Sequence, residues 1–217
     1  MKKVLSGVAA LLMVSSVGFA SPLTDYSQGK VAIDLSVRSS NDVTDNGTSY
    51  DGKDTNFNYG VTVGLGNKFA FQYKQDNADA KDKYWGAGYS DHSEVASNQY
   101  NVLYQINPNV SAFVGLTNTK PTYKYTGNSH DGKNTTGYQV GVIGTVPIGD
   151  KATAYASLGY GDQIEDYEFG LGYAIAQNLE LNVGYKDTKF KKLNWNQGGS
   201  DFTYKAHGLT YGVTYKF

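Results

Sequence analysis

Apolar and polar side chains alternate along most of this chain with a period of two. In residues 209–217, LTYGVTYKF, the bulky groups stand at 209, 211, 213, 215 and 217, and small or polar groups fill the positions between. Successive side chains of a β-strand point to opposite faces, so this pattern predicts a strand with one greasy face and one wet face. The same alternation marks nine earlier segments. It groups Val31, Ile33, Leu35 and Val37, then Phe57, Tyr59, Val61, Val63 and Leu65, then Phe69, Phe71 and Tyr73. It resumes over 100–106, 110–116, 138–146, 152–160, 167–175 and 179–185. Helix is a poor fit, because the apolar positions are two apart and glycine is spread through the segments.

The connections alternate as well. Those near 66, 108, 149 and 177 are short. Those near 46, 86, 126 and 196 are long and polar, and the brief one near 163 is the exception. Residues 75–96 and 118–134 read as two of the long polar connections, with part of the first extending the flanking strands. Even strand number and this asymmetry of turns and loops are what an up-and-down membrane barrel predicts. The segments are long enough to cross a bilayer when tilted. Hydrocarbon cannot satisfy an open strand edge, so the first segment must pair with the last. The expected fold is therefore all-β: a closed antiparallel up-and-down transmembrane β-barrel of ten strands, with eight as the alternative count.

The first twenty residues change the picture of where the chain goes. A basic start at Lys2 and Lys3, an apolar middle, and Gly18 and Ala20 at the end have the form of a secretory signal peptide. The expected organisation is a signal peptide over 1–20 and one barrel domain over 21–217. Loss of Lys2 and Lys3 leaves 17 basic against 20 acidic residues, a formal charge of −3. That balance argues against nucleic acid as a partner. There is no cysteine, so no disulfide staples this exported chain.

On the wet face, parity points Asp34, Arg38, Lys74, Glu168, Glu180, Lys186 and Lys216 into the lumen. Both signs are present. Ion pairs that plug the lumen, with Asp34 and Lys216 as one candidate pair, and charges that simply face luminal water are both open readings.

Candidate chemistry is sparse. Residues 90–94, SDHSE, hold every residue type of a hydrolase triad around His92, but neighbours on one loop rarely converge on a reacting atom. Asp42 with Asp45, and Asp76 with Asp79, lack the spacing of a calcium loop and read as solvated loop acids. The expectation is no catalytic residue, no metal site, no cofactor and no enzymatic activity.

The signal peptide, the alternating segments and the terminal YGVTYKF together resemble the small outer-membrane β-barrel proteins of Gram-negative envelopes, the OmpA-like and porin-like class. The resemblance implies Sec export, termini in the periplasm, and a C-terminal signal at Tyr211, Val213, Tyr215 and Phe217 read by the barrel assembly machinery. It implies partners in that machinery, in periplasmic chaperones, in outer-membrane lipid and lipopolysaccharide, and in host or envelope ligands at the loops. A monomer is the expected state. The fold hosts many activities. An adhesin-like or envelope-structural role through the loops leads. A narrow porin-like channel for small hydrophilic solutes comes second, and an enzyme at the rim last.

Overall fold

The computed structural model describes residues 22–45, 47–52, 55–195 and 200–217. The expected signal peptide over 1–20 lies outside them. Ten long strands make the wall: β1 (Val31–Asp45), β3 (Asn56–Gly66), β4 (Phe69–Asp79), β6 (Tyr89–Asn107), β7 (Val110–Tyr125), β9 (Thr135–Ile148), β10 (Ala152–Gly161), β11 (Ile164–Ala176), β12 (Leu179–Leu193) and β13 (Phe202–Lys216). Three short strands, β2 (Thr48–Tyr50), β5 (Lys83–Gly86) and β8 (Asn128–Asp131), fold back on the long ones at one end. Each long strand pairs antiparallel with the next. The ring closes where β1 meets β13, with Ile33 opposite Tyr215, Leu35 opposite Val213 and Val37 opposite Tyr211. Every wall strand thus has two neighbours, as a lipid setting requires.

Outward side chains form an apolar band. Leu35, Phe71, Val102, Val114, Val140, Leu171, Leu181 and Leu209 are all exposed on it. Aromatic rings edge the band. Towards the long hairpins, Tyr59, Tyr73 and Tyr100 run side by side with centroids 5.9 and 5.3 Å apart, and Tyr138, Tyr160 and Tyr167 continue the row. Towards the chain termini, Phe69 packs on Tyr104 at 5.1 Å and Tyr215 on Phe217 at 4.7 Å. Amphipathic rings favour the two membrane interfaces.

Two strands are taller than the sequence pattern suggests. β6 has 19 residues and β7 has 16, taking in much of what reads as polar connection over 75–96 and 118–134. Above the band the outer face meets water, so outward positions turn polar and the greasy stripe stops. The period persists only on the inner face, at Ser93, Val95 and Ser97, which are buried. A bulge in β1 between Ser40 and Asp42 shifts the register and puts Val43 into the interior.

The interior is layered. At the terminal end, Leu23 and Tyr26 from the segment before β1 join Ala32, Ala70, Leu103, Phe113 and Ile143 in one cluster. Backbone bonds hold this strap: Gly66 N–H donates to Tyr26 O at 2.8 Å, and Gly29 N–H to Gly64 O at 3.3 Å. A Cβ on Gly64 would stand 2.3 Å from Ser27 O, so only glycine lets the strap lie so close. At the loop end a second cluster fills the lumen: Val43, Ala78, Ala80, Val95, Ile164, Phe190, Leu193, Phe202, Tyr204 and Ala206, with Tyr50 and Trp195 packed on it. Full burial of each large apolar side chain there contributes roughly 1.5–3 kcal/mol.

Candidate functional site

Between the two apolar layers lies a charged belt. Arg38 Nη2 on β1 is 3.2 Å from Asp76 Oδ1 on β4. Lys186 Nζ on β12 is 2.6 Å from Asp76 Oδ2 and 3.6 Å from Asp166 Oδ1. Lys74 Nζ reaches Asp166 at 3.7 Å and Glu168 at 3.8 Å. Hydrogen bonds finish the knot: Arg38 donates to Asn77 O at 2.7 Å and to Thr188 Oγ1 at 3.1 Å, while the Thr188 hydroxyl reaches Asp166 at 2.9 Å. Three cations face three carboxylates, so the belt is neutral as a unit. Charges out of bulk water are tolerated when paired and hydrogen-bonded in this way.

Lower down, Lys216 Nζ lies 3.0 Å from Glu180, and Asp34 Oδ1 accepts a hydrogen bond from Thr214 at 2.6 Å. The Asp34–Lys216 pair of the sequence reading is therefore replaced. Thr214 stands directly opposite both Asp34 and Glu180 in the two pairings of β13, so both acids lie one diagonal step from Lys216. Glu180 is fully buried and takes the cation.

An amide ladder crosses the opposite wall. Gln139 donates to Gln99 at 3.1 Å and to Asn101 at 2.7 Å, Asn101 to Gln72 at 3.2 Å, and Gln72 to Thr62 at 3.2 Å. Gln139 reaches over β7 because Gly115 lies beneath: a Cβ there would stand 2.1 Å from Asn101 Oδ1. A cavity of about 120 Å³ remains, lined among others by Asp34, Lys74, Gln99, Tyr155, Glu168 and Lys186. It has room for several waters.

Asp76 and Asp166 were not among the luminal residues expected from sequence. Asp76 reads there as a solvated loop acid, yet it is fully buried at the centre of the belt. The signal was present: Ala70, Gln72, Lys74, Asp76 and Ala78 share one parity. Likewise Asp166 shares the parity of Glu168.

The SDHSE stretch lies on β6, not on a loop. Strand alternation separates its members. His92 and Glu94 lie on the outer face, with His92 Nδ1 2.7 Å from Asp82 and Glu94 accepting from Lys124 Nζ at 2.7 Å, whereas Ser93 and Asp91 share the inner face, where Asp91 accepts from the Tyr123 hydroxyl. No nucleophile, base and acid converge here. His130 contacts the carbonyl of Trp195 at 3.2 Å, and His207 packs beside Tyr185 with centroids 6.2 Å apart. Among the described residues no group of three or more His, Cys, Asp or Glu is placed to hold a metal ion.

The loop-end extensions are laced by ion pairs outside, including Lys120–Asp131 at 2.6 Å and Lys205–Asp187 at 2.9 Å. The hydrogen bond to Glu94 raises the Lys124 ammonium above its usual range. The one to Lys120 holds the Asp131 carboxyl below its own. The hydrogen bond to Asp91 pushes the Tyr123 hydroxyl up to about 12. Tyr125, Tyr123, Trp195 and Phe202 form a continuous series of ring contacts, at 5.9, 6.3 and 4.7 Å, running from the rim to the inner apolar layer.

The C-terminal residues Tyr211, Val213, Tyr215 and Phe217 lie on the outward face of β13 and just beyond it. Tyr211, Tyr215 and Phe217 are exposed there. The Phe217 N–H donates to Val31 O at 2.8 Å, so the last residue is tied to the first wall strand.

A family model described as outer membrane protein beta-barrel domain matches residues 7–217. No curated protein matches the sequence significantly. Among solved structures, the outer membrane protease OmpT of Escherichia coli is similar at TM-score 0.53 and 11% identity, over 87% of this chain and 97% of that one. Ail, the attachment invasion locus protein of Yersinia pestis, gives TM-score 0.44 and 14% identity over 88% and 99% of the two chains. Neisserial surface protein A gives 0.42 and 15% over 87% and 96%. The closed ten-strand wall, its apolar band and the family match together make this chain a member of the outer membrane protein beta-barrel family, a transmembrane β-barrel of the bacterial outer membrane.

Proposed function

We propose that this protein works through its loop-end face, as a surface-interaction or envelope-structural barrel, and does not conduct solutes. The observation that carries the reading is the order of layers in the lumen. The dry cluster around Phe190, Leu193, Phe202 and Tyr204 sits above the Arg38–Asp76–Lys186 belt, and the Leu23–Tyr26 strap sits below. A solute would have to displace a packed apolar layer and then a neutral, mutually paired set of charges. Tall strands meanwhile lift polar hairpins well clear of the aromatic row.

In this reading residues 1–20 are removed on Sec export and the termini lie in the periplasm. The C-terminal residues serve as the assembly signal, lipid and lipopolysaccharide surround the wall, and the protein is a monomer. The luminal charges are structural. The likeness to OmpT is a likeness of fold and supplies no reacting residues here.

The channel reading draws on the cavity of about 120 Å³ beside Lys74 and Glu168. Planar-bilayer recording of refolded protein separates the two. The expected record is flat, and reproducible single-channel steps from the native chain would overturn the closed-barrel reading. For the surface role, cells displaying the barrel should bind host matrix or neighbouring cells. That binding should fall when residues 80–88 and 126–134 are exchanged for short turns. Unchanged binding after the exchange rejects a loop-borne role.

A further inference from the structure

At their loop ends β6 and β7 bound a cleft formed by Tyr89, Ser90, Asp91, Tyr123, Tyr125 and Thr126, with a volume of about 300 Å³. That is the lower end of the range for small-molecule sites. Tyr89 is 62% exposed and Tyr125 44%, and Tyr84 on the neighbouring hairpin is 77% exposed. These rings lie far above the membrane band, where neither lipid nor a core accounts for them. Tyr125 is supported from below. Tyr125 is stacked on Tyr123 at 29°, Tyr123 meets Trp195 edge-on, and Trp195 is stacked on Phe202 at 8°. The Tyr123 hydroxyl is held by Asp91, and Thr126 N–H donates to Ser90 O at 3.0 Å, pinning the cleft floor. The braced Tyr125 face, with Tyr89 beside it and serine, threonine and carboxylate groups between, makes an amphipathic surface that costs little ordering at Tyr125 on binding.

Charge narrows the ligand. Residues 80–95 and 119–133 hold five lysines and four carboxylates. Lys120 is paired with Asp131, Lys124 with Glu94, and His92 with Asp82. The lining of the cleft itself carries the Asp91 carboxylate and no cation, so it offers a polyanion no counter-charge. What fits is a neutral ligand with flat, weakly polar C–H faces edged by hydroxyls. Electron-rich ring faces attract such C–H groups, and Asp91 and Ser90 offer partners for hydroxyls.

We propose that this cleft binds an uncharged oligosaccharide, with one sugar ring on Tyr125 and a neighbouring ring on Tyr89. The inference rests on the loop-borne surface role proposed above and names the class of partner. The test is a panel of neutral and sulfated glycans offered to the protein in nanodiscs, followed by affinity measurement on the best neutral glycan. Tyr89→Ala and Tyr125→Ala should each weaken binding at least tenfold, while Tyr125→Phe, which keeps the ring face, should stay within threefold of the native protein. Binding should be insensitive to added salt, since no ion pair forms. Three results overturn the inference: no neutral glycan bound, preference for sulfated glycans that collapses in salt, or binding untouched by both alanine variants. If cell binding falls on hairpin exchange yet survives glycosidase treatment of the target, the glycan inference fails while the loop-borne role stands.

Discussion

Arg38 on β1 and Asp76 on β4 meet at 3.2 Å inside the lumen, reaching over the intervening strand β3, and both are fully buried. Lys186 arrives on Asp76 from β12, on the other side of β1 and β13. The pair therefore joins strands that share no backbone hydrogen bonds. Removing one member leaves the other charged and without its counter-ion, which costs about 3–5 kcal/mol. Asp76→Ala should lower unfolding stability in denaturant titrations of the vesicle-embedded protein by that order. A double change to apolar residues of similar volume, Arg38→Met with Asp76→Leu, should recover part of the loss. A single variant as stable as the native chain would mean the belt contributes nothing to holding the wall.

Phe190 is fully buried in the loop-end layer, beside Leu193 and Phe202. Truncating a phenylalanine in such a site costs about 3–5 kcal/mol, through lost transfer energy and the cavity left behind. Phe190→Ala should therefore destabilise the barrel clearly in guanidinium titrations in detergent. The outward, lipid-facing Val140→Ala, which opens no internal cavity, should cost much less. Equal effects would place the two residues in equivalent surroundings.

The Tyr123 hydroxyl donates to Asp91, and that bond raises it to about 12. An ordinary tyrosine titrates near 10. Folding thus favours the neutral ring, and this contribution is whole below pH of about 10 and is lost as pH climbs towards 12. Tyrosinate absorbance should show a late-titrating ring that disappears in Tyr123→Phe. Asp91→Asn should bring its titration back towards the ordinary range. If the amplitude lost in Tyr123→Phe came from the ordinary range near 10 instead of the late part of the curve, the assignment would be refuted.

Phe217 is tied by its backbone to Val31 and by its ring to Tyr215 at the membrane edge, but its side chain is exposed rather than packed in a core. Phe217→Ser should sharply reduce the heat-modifiable, assembled fraction recovered from outer membranes. The molecules that do assemble should unfold within about 1 kcal/mol of native, the scale of a mild surface change. Normal assembly of Phe217→Ser would remove any signalling role from the C-terminus.

Taken alone, the sequence determined whatever depends on local order. Period-two alternation set ten strands and their lipid-facing sides. The spacing of glycine, asparagine and proline separated short turns from long hairpins, and the need to satisfy every edge in hydrocarbon set closure. Above the membrane band that signal weakens, because water on the outer face removes the apolar stripe. So the heights of β6 and β7, and the burial of Asp76, Val95 and Phe190, escaped it. Which charges meet also escaped it. Arg38, Asp76, Asp166 and Lys186 lie far apart along the chain, and only the curvature that wraps β1, β4, β11 and β12 around one lumen brings them within ion-pair distance. The same holds for Tyr123, Trp195 and Phe202, whose ring contacts exist because separate hairpins lean over a common mouth. Parity is a property of neighbours in sequence, whereas pairing across a lumen is a property of the closed ring.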